Sequence, residues 1–151
     1  MTLDKLKHLN NGACPRCKQI FEAYPGFNKK LRSWFVLFQA TNKEAHISCA
    51  GRGFEEQESK KSSGNSNASY GHSAHNWNAA IDLFCQIPGS DLYDEDWFKS
   101  VVGPAVPYFL NWYGAPGAAY PELPHIELRE WRGLKATGEL ALVEPIPQQI
   151  A

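Results

Sequence analysis

The chain has 151 residues and a mass of 16.9 kDa, which fits one domain of roughly 100 to 200 residues. Hydrophobic residues make up 43% of it, enough for one packed core, which excludes a mainly disordered or fibrous protein. A formal net charge of −1 provides no field that attracts phosphate, so no nucleic-acid partner is expected. The sequence has no run near the roughly 20 apolar residues of a membrane helix and no apolar signal-peptide stretch at its start. We therefore expect synthesis in the cytoplasm without membrane insertion.

The N-terminal part, residues 1–44, is predicted to be helical. Its clearest run is NKKLRSWFVLFQATN, where Leu31, Trp34, Phe35 and Phe38 recur at helical spacing. This aromatic stripe is expected to face the core.

The four cysteines are too few for a disulfide scaffold in a chain of this length. Cys14 and Cys17 are the only close pair, whereas Cys49 and Cys85 lie far apart in apolar runs, so a zinc ribbon is not expected. Ordinary partly buried thiols are the expectation, since reduced cysteine behaves as a small apolar residue. A Cys14–Cys17 disulfide or a surface metal site stays open as an alternative.

The middle of the chain predicts two strands and a long loop between them. AHISCAG alternates and stops at a Gly-Arg-Gly turn, which predicts a strand from about Ala45 to Ala50 with Arg52 at its exit. Residues 55–73 are rich in Ser, Asn, Gly and charge and predict a surface loop, either a binding loop or a disordered connector. AAIDLFC predicts a buried strand from about Ala79 to Cys85.

The C-terminal third predicts two short helical pieces and one more strand. Pro104 and Pro107 divide the helical pattern of residues 94–114. HIELREW alternates and predicts a strand from about His125 to Trp131, followed by a peripheral tail over residues 134–151. The whole order predicts one α+β domain over residues 1–151, with a small, mainly antiparallel sheet and flanking helices.

Asp82 is an anomaly because an ionised carboxylate seldom lies in an apolar strand without a compensating cation or several donors. A bound metal would explain it, with His75 just before that strand and His125 at the start of another as further ligands. Two histidines and one carboxylate leave one position of a tetrahedral zinc ion open for water, as in catalytic sites. His8 and His46 are interpreted as hydrogen-bonded structural residues.

Glu122, three residues before His125 in PELPHIE, could take the proton of such a water. Pro124 disfavours a helical conformation at Leu123, which excludes the HExxH metalloproteases. A solvated loop glutamate is the alternative interpretation of Glu122. Glu127 lies two residues beyond His125 on the same strand face and competes for the role of the base.

Three segments resemble a known family. SAHNWNAAIDLF, residues 73–84, resembles the SxHxxGxAxD signature of the zinc D-alanyl-D-alanine carboxypeptidase and L-alanyl-D-glutamate endopeptidase group. PELPHIELREW resembles the second motif of that group, and LNWYGAP resembles the stretch that precedes it in phage endolysins of this type. The matches follow the family order over about residues 45–131, and together they are more specific than either motif alone.

The resemblance implies one Zn²⁺ per chain, bound by His75, Asp82 and His125, with Glu122 as the catalytic base. The family also has an arginine in a motif similar to SCAGRGFEEQ. This similarity implies that Arg52 holds the substrate carbonyl or a peptide carboxylate, for which the forked guanidinium donors are suited.

Further substrate contacts are implied at Gln57, which resembles the glutamine accompanying this arginine, and at Ser73, which opens the histidine motif. His72 is an additional expected substrate contact from the same loop. Asn78 stands where the family has glycine, and asparagine is expected to tolerate the left-handed backbone that the turn needs.

The fold implied by the resemblance is Hedgehog/DD-peptidase-like. The implied function is hydrolysis of peptidoglycan stem peptides at the L-Ala–D-Glu bond, as a monomeric phage-type endolysin that reaches the cell wall once the inner membrane is opened. One alternative is a D-alanyl-D-alanine carboxypeptidase or dipeptidase with the same site. Another is a zinc-containing module that binds the cell wall without cutting it.

Overall fold

A computed structural model describes His8, residues 14–118 and residues 121–143. These residues form a small antiparallel sheet with helices around it, which confirms the expected α+β class. The strands are β1 (Ala45–Cys49), β2 (Ala80–Cys85), β3 (Leu110–Trp112) and β4 (His125–Leu128). The α-helices are α1 (Pro15–Glu22), α2 (Lys29–Thr41), α3 (Phe54–Ser62), α4 (Glu95–Trp97), α5 (Gly103–Ala105) and α6 (Trp131–Ala136). A 3₁₀ helix spans Ala74–Trp77, and a π-helical segment, Phe98–Val102, joins α4 to α5.

The strand order is β1-β2-β4-β3, and every neighbouring pair is antiparallel. β2 and β4 are therefore the central strands, and Asp82 lies directly opposite His125. Paired residues project from the same face of a sheet. This register places the aspartate of the first motif beside the histidine of the second.

The predicted aromatic stripe of α2 is confirmed. Leu31, Phe35 and Phe38 are at most 5% exposed, and the Trp34 ring stacks on Phe38 at 5.1 Å. The helix begins where the Asn28 side chain accepts a hydrogen bond from the Leu31 backbone N–H, an N-cap interaction. With α1, this helix covers the sheet through a buried core that includes Phe21, Phe35, Ile47, Ile81, Leu83, Phe98 and Ile126.

The predicted loop over residues 55–73 is wrong in its first half, because α3 occupies Phe54–Ser62. The segment lacks an apolar stripe, but its acidic first turn and basic last turn complement the helix dipole. Gln57 is fully buried, and α3 packs on the rest of the domain through this polar side chain instead of through an apolar face. Only residues 63–73 remain as the surface loop.

The C-terminal third also differs from the sequence prediction. The helical pieces around Pro104 are present, but β3 was missed because it has three residues and is held by its pairing with β4. The strand predicted to reach Trp131 ends at Leu128, and Trp131 begins α6. Among the described residues, no helix has the length and the apolar character needed to cross a membrane.

The expected peripheral tail lies partly outside the described residues, which end at Val143. Leu140 is only 8% exposed, and the Val143 backbone N–H donates to the Asn76 carbonyl oxygen at 2.8 Å. Residues 134–143 thus contact the domain near the 3₁₀ helix.

Candidate functional site

A cleft of about 560 Å³ opens where β2 and β4 meet the loop of residues 63–73. Its floor is formed by side chains of the two motifs, and its walls come from the loop, from α3 and from the start of α6. The lining includes Arg52, His75, Asp82, Glu122 and His125. Residues that are far apart in the sequence therefore share one solvent-accessible site.

Two imidazoles converge on the carboxylate of Asp82. Its Oδ1 lies 3.2 Å from His75 Nε2 and 3.1 Å from His125 Nδ1. A nitrogen and an oxygen bound to the same tetrahedral zinc ion would be about 3.4 Å apart, given the usual bond lengths. Each histidine–aspartate distance is close to that value, and nitrogen and carboxylate donors are a zinc-compatible set.

The other nitrogen of each imidazole faces an acceptor on the far side of the ring. His75 Nδ1 lies 2.7 Å from the Ala50 carbonyl oxygen, and His125 Nε2 lies 2.8 Å from Glu127 Oε1. Such acceptors fix the tautomer and the ring orientation of metal-binding histidines. When the rings are neutral, these contacts leave the lone pair on the nitrogen that faces Asp82.

The charges of the site are strongly coupled. Burial alone would raise the pKa of Asp82, but the neighbouring imidazoles of His75 and His125 hold it well below its usual range. Burial opposes protonation of both histidines, yet Asp82 raises the pKa of each, with Cys49 adding to the effect at His75 and Glu127 at His125. Asp82 is therefore ionised and holds positive charge or a cation beside it.

Potential ligand atoms form two overlapping groups that share Asp82, and within each group all atoms lie within 4.8 Å of one another. One group is Cys49, His75 and Asp82, and the other is Asp82, Glu122 and His125. The Cys49 Sγ is 3.8 Å from His75 Nδ1, the nitrogen that faces the Ala50 carbonyl rather than Asp82. Cys49 thus lies beside both His75 and Asp82, its strand partner.

The two glutamates near His125 have different surroundings. The Glu122 side chain is 51% exposed, and its Oε2 is 4.0 Å from His125 Nδ1, the nitrogen that faces Asp82. Backbone hydrogen bonds from Glu122 to Tyr113 and from His125 to Glu122 hold the turn before β4. Glu127 is buried, and its carboxylate is engaged on the opposite side of the His125 ring. Both glutamates line the cleft, and Glu122 is the more exposed of the two.

Arg52 is held in place by a network of buried groups. Its Nη1 donates a hydrogen bond to Gln57 Oε1 at 3.1 Å, and its Nη2 donates one to Cys49 Sγ. The same Nη2 lies 3.8 Å from Asp82 Oδ2. Gln57, a predicted substrate contact, does not line the cleft; its amide binds Arg52 and, through Nε2, the Ala68 carbonyl oxygen.

The 3₁₀ helix is organised by Asn76, which the sequence analysis did not single out. Its Oδ1 accepts from the backbone N–H groups of Gly71 and Ser73, and its Nδ2 donates to the Arg52 carbonyl oxygen. The Ser73 hydroxyl accepts from the His75 backbone N–H at 3.3 Å, completing a capping box with Asn76. An asparagine three residues after a serine was the available sequence signal.

The predicted residues of the loop take different positions. Ser73 and the exposed His72 both line the cleft. Asn78 ends the 3₁₀ helix with φ 56° and ψ 33°, which confirms the left-handed backbone expected where the family has glycine. The first histidine is thereby oriented towards β2 without the glycine.

Tyr113 and Arg132 are further cleft residues that the sequence analysis missed. The Tyr113 ring packs edge-on against His125 at 4.8 Å, and its hydroxyl interacts with Glu127 and Arg132. Burial and the Glu127 carboxylate raise the pKa of Tyr113 to about 12, so the hydroxyl stays protonated at neutral pH. Arg52, Lys60 and Arg132 give the cleft three cationic side chains.

Comparison of the fold with solved structures finds the crystal structure of the L-Ala D-Glu endopeptidase ChiX from Serratia marcescens. The TM-score is 0.61 at 16% sequence identity, and the match covers 78% of this chain and 91% of that chain. The two chains share a fold. No protein-family profile matches the sequence, and neither does any curated protein. The fold shared with ChiX agrees with the expected DD-peptidase-like architecture.

Proposed function

We propose that this protein is a zinc-dependent peptidase that hydrolyses peptidoglycan stem peptides at the L-Ala–D-Glu bond. The observation that carries the proposal is the convergence of His75 Nε2 and His125 Nδ1 on Asp82 Oδ1 at the floor of an open cleft. The outward hydrogen bonds of both imidazoles support a metal-binding role. The fold shared with ChiX supports the peptide-bond chemistry and the choice of bond.

In this proposal His75, Asp82 and His125 hold one zinc ion. When bound there, zinc would polarise the scissile carbonyl and make a water molecule easier to deprotonate. Glu122 takes a proton from the attacking water and passes it to the leaving amine, because its half-exposed carboxylate lies beside the metal-facing nitrogen of His125. Arg52 donates hydrogen bonds to the oxygen on which negative charge develops.

The cleft offers cationic partners for a substrate carboxylate. Arg52, Lys60 and Arg132 line it together with the acidic Asp82, Glu122 and Glu127, and the three cations suit a peptide that carries free carboxylates. The stem peptide of the cell wall carries such a carboxylate at D-Glu. The likeness of LNWYGAP to endolysins supports a phage-type lytic role, in which the enzyme acts on the wall after the inner membrane opens.

The proposal is tested by digesting purified peptidoglycan with the protein, with and without a chelator, and measuring the masses of the released fragments. Chelator-sensitive stem peptides that begin at D-Glu are expected. Loss of a terminal D-Ala alone would identify a carboxypeptidase with the same site. Intact peptidoglycan, from protein that contains one more zinc per chain than its His75→Ala/Asp82→Ala variant, would contradict the hydrolase assignment and favour a module that binds the wall.

A matched pair of variants separates catalysis from binding. Glu122→Gln should bind zinc and peptidoglycan but release no fragments, whereas Glu55→Gln, on the exposed surface of α3, should digest as the wild type does. Equal digestion by Glu122→Gln would remove that residue from the mechanism.

A further inference from the structure

A second cluster of potential metal ligands lies away from the cleft, at the junction of the N-terminal segment and β1. It consists of two histidines and two cysteines, all at most 4% exposed, and the four potential ligand atoms lie within 4.8 Å of one another. Its members are His8, Cys14, Cys17 and His46. In the sequence, no second close cysteine pair accompanies Cys14 and Cys17, and His8 and His46 were interpreted as hydrogen-bonded structural residues.

The distances within the cluster match one tetrahedral ion. His8 Nδ1 lies 3.3 Å from both Cys14 Sγ and Cys17 Sγ, and His46 Nδ1 lies 3.7 Å from Cys17 Sγ. A sulfur and a nitrogen bound to the same zinc ion would be about 3.6 Å apart, given Zn–S and Zn–N bonds of about 2.3 and 2.0–2.1 Å. The sulfur–nitrogen distances of 3.3 and 3.7 Å in the cluster lie on either side of that value.

Hydrogen-bond donors surround the sulfur atoms as they do around metal-bound thiolates. The backbone N–H of Ile47 donates to Cys17 Sγ at 3.3 Å, and that of Cys17 donates to Cys14 Sγ at 3.4 Å. The Gln39 amide adds a third donor, to Cys17 Sγ, at 3.5 Å. A thiolate accepts such hydrogen bonds better than a neutral thiol does, and outer donors of this kind orient the ligands of a metal.

We propose a second, structural zinc site whose four ligands are His8, Cys14, Cys17 and His46. Two thiolates neutralise the charge of Zn²⁺, so the site can be buried without an uncompensated charge, and binding releases the two thiol protons to solvent. Four protein ligands leave no position for water or substrate, which distinguishes this site from the open one in the cleft.

The role of the ion is to hold His8 and the start of α1 against the sheet. His8 and the residues at the start of α1 come from the first part of the chain, and His46 comes from β1. His46 pairs with Phe84 of β2, and the Phe84 ring contacts both histidine rings. Phe84 follows Asp82 by two residues on the same strand face. The structural site thus supports the strand that carries the cleft aspartate.

A redox-active dithiol is the main alternative for Cys14 and Cys17. Cys14 is the N-cap of α1, and Cys17 lies in the first turn of that helix. Both thiols are free, and they are only 3% and 2% exposed. Thiol exchange needs access for the attacking partner. The two imidazoles placed beside the sulfurs are also unnecessary for a dithiol but complete a tetrahedral ligand set.

The test uses the full chain with the cleft ligands removed, so that it does not depend on the proposed peptidase. The His75→Ala/Asp82→Ala variant should retain one zinc per chain, and X-ray absorption should show two sulfur and two nitrogen ligands, with sulfur at about 2.3 Å. A variant without zinc, or one whose zinc has only nitrogen and oxygen ligands, would overturn the proposal while leaving the peptidase proposal intact.

Cobalt substitution gives a second readout, because thiolate-bound Co²⁺ has an intense near-ultraviolet charge-transfer band. The wild-type chain should show this band, Cys85→Ala and Cys49→Ala should keep it, and Cys14→Ser should lose it. If Cys14→Ser does not fold, the His8→Cys variant tests the ligand set instead, since a third sulfur ligand should make the band more intense. A wild-type chain without the band, or with a Cys14–Cys17 disulfide detected by mass spectrometry, would contradict the site.

Discussion

Asp82 and His125 face each other across the two central strands, and this pairing joins the two motifs into one site. Asp82 Oδ1 lies 3.1 Å from His125 Nδ1, while 42 residues separate the two positions along the chain. The antiparallel register of β2 and β4 alone brings them together. Any change that breaks this pair is expected to affect the whole centre.

Replacing Asp82 with asparagine keeps the side-chain shape but removes the negative charge that faces both imidazoles. Replacing a residue that only hydrogen-bonds a metal ligand typically lowers metal affinity by about 10- to 100-fold. The loss of zinc affinity in Asp82→Asn should exceed this range. Competition titration with a chromophoric chelator measures this, with Asp96→Asn on the exposed side of α4 as the control. Unchanged zinc affinity in Asp82→Asn would exclude Asp82 as a ligand.

The two glutamates beside His125 should respond differently to the same substitution. Glu122→Gln is expected to lower the hydrolysis rate by about 10²- to 10⁴-fold with little change in zinc affinity, since it removes the proposed general base. Glu127→Gln should instead lower zinc affinity by about 10- to 100-fold, because its carboxylate orients the His125 ring. Rate and zinc content measured on both variants check this. The reverse pattern would make Glu127 the base.

Arg52 and Gln57 are expected to act as one unit. Arg52→Lys should lower kcat by about 100-fold with zinc retained, because a single ammonium cannot replace the forked donors. Gln57→Ala should lower kcat as well, since the buried amide holds Arg52 Nη1 at 3.1 Å.

A double-mutant cycle on kcat tests this coupling, with Gln19→Ala on the surface of α1 as the control. The combined Arg52→Lys/Gln57→Ala variant should lose less than the product of the two single effects, because both changes disturb the same guanidinium. Independent, multiplicative effects would show that Gln57 does not act through Arg52.

Gly51 lies between β1 and Arg52, where the chain passes the Tyr24 ring. A Cβ atom at this position would overlap the Tyr24 ring carbons Cδ1 and Cε1. Gly51→Ala should therefore lower the free energy of unfolding by about 1–3 kcal/mol, the usual cost of overpacking. Denaturant unfolding measures the change.

Gly133→Ala in α6 is the matched control, because its Cβ would meet nothing within 4 Å. That substitution should raise the free energy of unfolding by up to about 1 kcal/mol, owing to the better helix propensity of alanine. Equal stability of Gly51→Ala and the wild type would mean that the Tyr24 ring moves away at little cost.

Local sequence patterns were sufficient to predict the helices and strands that bury apolar residues at regular spacing. The stripe of α2 and the apolar run of β2 both met this condition and were predicted close to their observed bounds. α3 was missed because its charged sequence has no apolar face and docks through the buried Gln57. β3 was missed because three residues have too little periodicity to be recognised without their partner strand.

The sequence by itself determined the fold class and, through the two motifs, the cleft residues His75, Asp82, Glu122 and His125, because apolar periodicity and short motifs are local properties of the chain. Only the tertiary structure decided how these residues are used. Strand register set Asp82 against His125, burial left Glu122 more exposed than Glu127, and packing of His8 and the start of α1 on β1 gathered the second cluster. Such contacts depend on distances in space between residues remote in the chain, and no local pattern encodes them.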